Sequence, residues 1–203
     1  MSSPHDQSRY QIRFEWGAAG LARLAPSDVV VVVDVLSYST ETADALVTAD
    51  RVDAAGSAPA AVLARAAHDT GSTVLLGGLR NAGAVARAVL AEQQRRAART
   101  SIAVIAVGDV DDAGSRFAVE DQLGAGAIID ALGTLGLDHT SPEAAASCEA
   151  FRGLGGAVRH LLTASGSGQA LLDAGAREAV VAAALLDQVD TAPVLRDGAF
   201  VAS

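Results

Sequence analysis

Five consecutive valines, Val29–Val33, are the feature that most restricts how this 203-residue chain can fold. β-Branched side chains favour strands, and a strand without polar alternation is typical of one buried on both faces, as in a parallel sheet. The run ends at Asp34, and three hydroxyl side chains follow closely: Ser37, Ser39 and Thr40. The sequence therefore predicts a central strand that leads through a polar turn into a helix.

Strand-like and helix-like segments alternate along the rest of the chain. Strands are predicted over residues 10–16, 29–35, 73–76, 102–107 and, as an edge strand, 192–195. Helices are predicted over residues 40–48, 59–68, 81–96, 119–132, from 142, 169–173 and 177–186, with loops over 50–58 and 108–117. This alternation indicates a layered α/β fold with a largely parallel sheet flanked by helices. We expect a flexible tail over residues 1–9 and a single domain over residues 10–203.

Composition restricts the partners of the protein. The formal net charge is −9 and all basic residues are arginines, so the surface repels nucleic acid and anionic membranes. The single cysteine, Cys148, excludes an internal disulfide and a zinc site with several thiolates. No segment resembles a signal peptide or a membrane span, so we expect a soluble cytoplasmic protein. A small anionic substrate and a homo-oligomer are both compatible with this surface.

The position of Asp34 suggests a binding site. Ligands of open α/β sheets bind outside the carboxyl ends of the strands, which is where Asp34 lies. A buried carboxylate there needs a cation, hydrogen bonds or a raised pKa. The amides of the following turn are one alternative; a functional site is the other. The hydroxyls of Ser37, Ser39 and Thr40 either help a helix N-terminus to hold an anion or cap that helix.

Two further polar positions stand at predicted helix starts. Glu120 and Asp121 open one helix, where acids are favoured by the helix dipole alone but are also suited to binding Mg²⁺ beside Asp34. Asn81 begins another helix, as a cap or as a substrate contact. Gly124 and Gly126 lack the pattern of a dinucleotide site and indicate close packing of helices instead.

Five segments, in order, resemble the ComB-like 2-phosphosulfolactate phosphatases. They are VVVVVDVLSYST, LLGGLRNAGAVA, AVEDQLGAGAIIDAL, SGSGQALLDAG and APVLRDG, and they span most of the chain from Val29 onward. The resemblance implies an α/β enzyme of the ComB-like phosphatase fold that uses Mg²⁺. Its implied reaction hydrolyses the phosphomonoester of a small sulfonated or carboxylated 2-hydroxy acid, converting 2-phosphosulfolactate to sulfolactate and phosphate. In archaea this step leads to coenzyme M.

The resemblance also implies roles for individual residues. Four polar side chains are expected to be catalytic: Asp34, Asn81, Glu120 and Asp121. Three of them are expected to bind Mg²⁺: Asp34, Glu120 and Asp121. Six residues are expected to contact the anionic substrate: Ser37, Ser39, Thr40, Gly56, Ser57 and Ser167.

The sequence departs from the family at several of the positions that would face the substrate. Residues 50–58 stand where family members carry a longer segment with several loops, so the chain is shortened in the middle. Ser37 and Gln169 stand where arginine is usual. Two functions therefore remain open, a Mg²⁺-dependent phosphatase and a catalytically impaired scaffold that only binds a small anion.

Overall fold

The valine run forms an interior strand of a seven-stranded sheet. The computed structural model describes residues 3–111 and 114–203. Its strands are β1 (Ile12–Trp16), β2 (Val29–Val33), β3 (Val52–Asp53), β4 (Thr73–Gly77), β5 (Ile102–Ala106), β6 (Asp109–Asp111), β7 (Gly114–Arg116), β8 (Pro193–Arg196) and β9 (Ala199–Ala202). The main sheet has the order β1-β5-β2-β4-β8-β9-β3, and β6 pairs with β7 in a separate hairpin.

Parallel pairing is confined to the first four strands of this order. β5 pairs in parallel with β1 and β2, and β2 with β4, so these strands end at one common edge. The remaining strands are antiparallel: β8 pairs with β4, and β9 pairs with β8 and β3. The polar residues that follow β2 and β5 are thereby brought to the same edge.

Helices cover both faces of the sheet. They are α1 (Gly17–Arg23), α2 (Tyr38–Ala45), α3 (Pro59–Asp69), α4 (Ala82–Arg96), α5 (Val119–Thr134), α6 (Pro142–Leu154), α7 (Val158–Ala164), α8 (Gly166–Asp173) and α9 (Arg177–Ala183), with single 3-10 turns at Leu79–Asn81 and Gly155–Ala157. No helix within residues 3–111 and 114–203 is long and apolar enough to cross a membrane.

Alternation of side chains along β2 divides the core into two clusters. Val29, Val31 and Val33 pack with the buried residues of α4, α5 and α6 on one face. Val30 and Val32 pack with those of α3 and with Phe200 on the other. Successive side chains of a strand point to opposite faces, so an unbroken valine run fills both clusters at once. The predicted layered α/β fold is confirmed.

The C-terminal part of the sheet differs from the prediction. The strand predicted at an edge, β8, lies inside the sheet between β4 and β9. Asp197 and Gly198, predicted as a turn, both have positive φ angles (48° and 75°), the backbone of a tight two-residue hairpin. The partner strand, β9, was missed because four residues after a turn carry too short a pattern to identify. The predicted edge assignment for residues 192–195 is therefore wrong.

Other differences concern short elements. The predicted loop over residues 50–58 contains the two-residue strand β3, and the loop over 108–117 contains the β6–β7 hairpin, of which residues 112 and 113 lie outside the described part. The helix predicted from residue 142 ends at Leu154, where the glycines Gly155 and Gly156 form a 3-10 turn before α7. These elements are too short to show a clear periodicity.

The segment predicted as a flexible tail contacts the domain. Gln7 is buried, and its side chain donates to the carbonyl of Phe14 (3.0 Å) and accepts from the amide of Phe14 (3.1 Å). These bonds occupy backbone groups on β1, an edge strand of the sheet. Residues 3–9 therefore cover part of an edge that would otherwise be open to pairing.

Close packing of α5 against α6 depends on a glycine. A Cβ atom at Gly126 would clash with the carbonyl oxygen of Ser147 and lie 2.7 Å from Cβ of Phe151. At Gly133, on the same helix, a Cβ would meet nothing within 4 Å. The predicted role of Gly126 in helix packing is confirmed.

We expect Gly126→Ala to lower the free energy of unfolding by about 1–3 kcal/mol, because α5 and α6 must separate to admit the methyl group. Gly133→Ala is the matched control and should be neutral or stabilise by up to about 1 kcal/mol, since it adds only helix propensity. Urea unfolding of both variants measures the difference. Equal stability of the two variants would contradict the packing described here.

Candidate active site

Asp121 joins the ends of two parallel strands. Its carboxylate accepts the amide of Val35, just beyond β2, at 2.8 Å and the amide of Gly108, just beyond β5, at 2.9 Å. Each of its two oxygens takes one of these bonds. Burial raises the pKa of Asp121 well above its usual range, with repulsion from Asp34 adding to the effect and the two amides opposing it. Asp121 therefore acts as a clamp between two loops.

Glu120, the preceding residue on α5, is buried without a complete set of partners. Its side chain lines the cleft beside Asp34, and only 3% of the residue is exposed. The Oε2 atom is buried and accepts no hydrogen bond from any part of the chain that the structure describes. An ionised carboxylate in this position is costly unless a cation or a donor from a ligand satisfies it.

Asp34 lies at the carboxyl end of β2 with one oxygen engaged. Its Oδ2 atom accepts the hydroxyl of Ser37 (3.1 Å) and the amide of Tyr38 (3.3 Å). Burial raises the pKa of Asp34 to about 6; these two hydrogen bonds oppose the shift, and repulsion from Glu41 and Glu120 adds to it. The proximity of Asp34 and Glu120 thus disfavours two negative charges in the absence of a cation.

These carboxylates line one cleft of about 530 Å³. Its walls come from the loops after β2 and β5, from the start of α5 and from α8. The lining residues that carry polar side chains are Asp34, Ser37, Asp109, Arg116, Glu120, Asp121 and Ser167. The cleft therefore lies at the sheet edge where ligands of α/β proteins bind, and five of the predicted site residues meet there.

The hydroxyls of Ser39 and Thr40 are directed to the backbone. Ser39 is buried; its Oγ atom accepts the amide of Asp34 (3.1 Å) and donates to the carbonyl of Val32 (3.2 Å). Thr40 donates to the carbonyl of Val35 at 2.6 Å. Both residues hold the turn that presents Asp34, and neither lines the cleft.

Asn81 is placed elsewhere, in a structural network. It is 2% exposed, and its Oδ1 atom accepts the amide of Gly78 at 3.0 Å. Its Nδ2 atom donates to the carbonyls of Leu76 (3.4 Å) and Thr191 (3.0 Å). Asn81 thereby fixes the turn after β4 against the segment that leads into β8, and it is not among the residues that line the cleft.

The predicted anion contacts in the shortened middle also lie apart from the cleft. Gly56 and Ser57 are exposed in the loop before α3, and Gly56 has a positive φ of 118°. The carbonyl of Gly56 accepts a hydrogen bond from Arg65 at 2.8 Å. Neither residue is part of the cleft lining, whereas Ser167, at the start of α8, is.

Sequence analysis missed Arg116, a cation in the cleft. Arg116 ends the β6–β7 hairpin and forms an ion pair with Asp109, directly opposite on β6. An arginine four residues before Glu120 was a visible signal, but the surrounding carboxylates made residues 108–117 look like an acidic loop. The pairing of β6 with β7 was needed to place it in the cleft.

A divalent cation fits the cleft through two carboxylates. Among the described side chains, no group of three or more His, Cys, Asp or Glu could hold a metal ion by itself. Each oxygen of Asp121 accepts one amide, whereas Oε2 of Glu120 accepts none from the described chain, so Glu120 and Asp34 are the carboxylates that could best hold a cation. Mg²⁺ commonly uses one or two carboxylates and completes its shell with water and substrate oxygens, so this pair and the unpartnered Oε2 of Glu120 suit it.

The fold and the acidic cleft are consistent with an α/β phosphatase. A protein-family model described as 2-phosphosulpholactate phosphatase matches residues 58–198, more than half of the chain. The chain therefore belongs to the 2-phosphosulpholactate phosphatase family, whose members are metal-dependent phosphatases. The match includes Asn81, Glu120, Asp121 and Ser167 and begins after Asp34. A search among curated proteins finds no match.

We expect the metal-free protein to lose stability as the pH rises through the pKa of Asp34. This pKa is about 6 in the folded protein, whereas its ordinary value is 3.8. The protonated side chain of Asp34 therefore adds to the free energy of unfolding in full below about pH 4, and this contribution is lost above about pH 6. In EDTA, the free energy of unfolding of the Asp34→Asn variant minus that of the unsubstituted protein should rise by about 2 kcal/mol between about pH 4 and about pH 7. Denaturant unfolding at several pH values measures it.

The control for this experiment is Asp173→Asn, at an exposed position at the end of α8. It removes a carboxylate that is exposed in the folded protein and therefore changes no buried charge. A pH-independent stability difference for Asp34→Asn would mean that burial at the end of β2 does not disfavour the ionised carboxylate.

Proposed function

We propose that the protein is a Mg²⁺-dependent phosphatase that hydrolyses the phosphomonoester of a small sulfonated or carboxylated 2-hydroxy acid. The proposed reaction converts 2-phosphosulfolactate and water to sulfolactate and phosphate. Membership of the family supports the reaction class. The acidic cleft at the carboxyl edge of the sheet supports the use of a divalent cation.

One observation carries the proposal: the buried Oε2 atom of Glu120 has no partner within the described chain and lies in the same cleft as Asp34. A helix-dipole role would explain an acid at the start of α5 but not one that is buried and unpartnered. A cation between Glu120 and Asp34 would satisfy both carboxylates. When bound, Mg²⁺ would offset phosphoryl charge and make water a better nucleophile.

The side chains and amides of the cleft would hold the cation and orient the substrate. Asp34 and Glu120 would hold the cation, and Asp121 would keep both in place by clamping the loops after β2 and β5. The hydroxyl of Ser37 and the start of α8 face the space beside them. Hydroxyl and amide donors in such positions bind and orient phosphoryl oxygens.

Phosphate release tests the proposal. We expect turnover of 2-phosphosulfolactate or of a related small phosphomonoester with Mg²⁺ and none with EDTA. Glu120→Gln and Asp34→Asn should each lower kcat/KM by roughly a hundredfold or more, because each removes a charged ligand of the cation. Thermal unfolding with and without Mg²⁺ should show stabilisation that both variants reduce.

Glu143→Gln is the matched control, since Glu143 occupies the second position of α6 just as Glu120 occupies that of α5, but is exposed. It alters the same helix-dipole interaction and should leave activity unchanged. Equal losses in Glu143→Gln and Glu120→Gln would refute the metal role of Glu120. Absence of Mg²⁺-dependent turnover on every ester would leave the anion-binding scaffold as the function.

A further inference from the structure

Arg116 gives the acidic cleft a single cationic side chain among its described lining residues. The same lining carries four carboxylates: Asp34, Asp109, Glu120 and Asp121. Arg116 forms an ion pair with Asp109 while 61% of its side chain remains exposed. An exposed ion pair of this kind is weak, so its guanidinium can exchange Asp109 for an anion of a ligand at little cost.

The start of α8 lies next to this guanidinium. A Cβ atom at Gly166 would be 3.4 Å from Nη2 of Arg116, an ordinary van der Waals distance, which shows how close the two elements are. Ser165 caps the helix by accepting the amide of Gly168 at 3.0 Å. Gly166 and Ser167 stand in the first turn of α8, where a backbone N–H has no acceptor within the helix, and both residues line the cleft. Arg116 and these amides together form a positive wall.

An aromatic contact fixes the base of the hairpin that carries Arg116. Phe117 packs against Trp16 at the end of β1, with ring centroids 5.3 Å apart and planes at 49°. Trp16 in turn contacts Phe14 in an edge-to-face arrangement at 5.7 Å. Arg116 is thus anchored from the sheet on one side and paired with Asp109 on the other.

Apart from Arg116, every charged side chain in the described lining of the cleft is a carboxylate, and this restricts how a substrate would be oriented. The cation proposed on Asp34 and Glu120 would attract the phosphoryl group. A second anionic group on the same small molecule would be repelled by the carboxylates unless it faced the wall formed by Arg116 and α8. A guanidinium is well suited to this task because its parallel N–H groups match a carboxylate or sulfonate.

We propose that Arg116 is the specificity-determining residue of the cleft. It exchanges Asp109 for the second anionic group of the substrate. With the α8 amides, it selects phosphomonoesters that carry a second anionic group over those that carry only the phosphoryl group. This inference rests on the proposed phosphatase function. Arginine is usual in the family at the positions of Ser37 and Gln169, and Arg116 would provide the anion recognition that those two arginines otherwise supply.

A matched pair of esters tests this proposal. In 2-phospholactate a carboxylate stands where isopropyl phosphate has a methyl group, so the two differ only in the second anion. We expect Arg116→Gln to lower kcat/KM for 2-phospholactate by roughly tenfold to a hundredfold and to change it less than about twofold for isopropyl phosphate. Arg116→Lys should fall between, since it keeps the charge but loses the paired donors.

Two further variants serve as controls. Asp109→Asn removes the charge of one partner of Arg116 and should lower KM for 2-phospholactate by up to about fivefold. Arg159→Gln changes the net charge equally at an exposed position of α7 outside the cleft and should leave both esters unaffected. Equal losses on both esters in Arg116→Gln would overturn the proposal.

Failure of the proposed function has a different signature, namely no hydrolysis of either ester by the unsubstituted protein. Calorimetry with 2-phospholactate and Mg²⁺ then gives the decisive readout, because it requires no turnover. Binding that Arg116→Gln weakens at least tenfold supports the role of Arg116. Binding of equal strength in the two proteins, or none in either, contradicts it.

Discussion

The site depends on two hydrogen bonds that the carboxylate of Asp121 accepts from the backbone. The amides that it accepts, from Val35 and Gly108, belong to the loops that leave the two neighbouring strands β2 and β5. Without it, two amides at the carboxyl edge of the sheet would lack partners in a buried environment. Because Asp121 stands in the first turn of α5, the same bonds attach that helix to the sheet and carry Glu120 to the wall of the cleft.

Glu120 and Asp121 are adjacent in the sequence but differ in their hydrogen-bond partners. Both residues line the cleft, but neighbouring residues of a helix point about 100° apart, so Asp121 bonds to the strand ends while Glu120 does not. The structure gives Asp121 two amide partners and leaves Oε2 of Glu120 with none in the described part of the chain. A hydrogen-bonded carboxylate positions the site, whereas an unpartnered one next to Asp34 is suited to a cation. The Mg²⁺ site predicted on Asp34, Glu120 and Asp121 stays a prediction, and we propose Asp34 and Glu120 as the two residues that would hold the cation.

The sequence predicted the scaffold well because its signals were long. The valine run, the α3 to α5 helices and the polar end of β2 all follow from periodicity and strand geometry. The sequence was a poorer guide to which polar side chains line the cleft. Ser39 bonds to the backbone around β2, and Asn81 bonds across to Thr191, more than a hundred residues away. Such choices depend on long-range contacts that local sequence does not contain.

Arg116 is a second example, a residue of the cleft lining whose position depends on contacts between distant parts of the chain. Its place in the cleft arises from the β6–β7 hairpin, from the tilted ring contact of Phe117 with Trp16 and from its proximity to Gly166. These contacts join three separate parts of the chain: the hairpin, the end of β1 and the start of α8. They also give an acidic protein, with a net charge of −9, a local cationic side chain in its cleft.

The proposed cation on Asp34 and Glu120 can be located in crystals grown with Mn²⁺, because this ion scatters anomalously. We expect one strong peak within coordination distance, about 2.0–2.3 Å, of a carboxylate oxygen of each of these two residues. We also expect that Asp121 keeps both amide bonds and does not contact the ion. No peak in the cleft, or a peak on Asp121 with Glu120 uninvolved, would contradict the proposal.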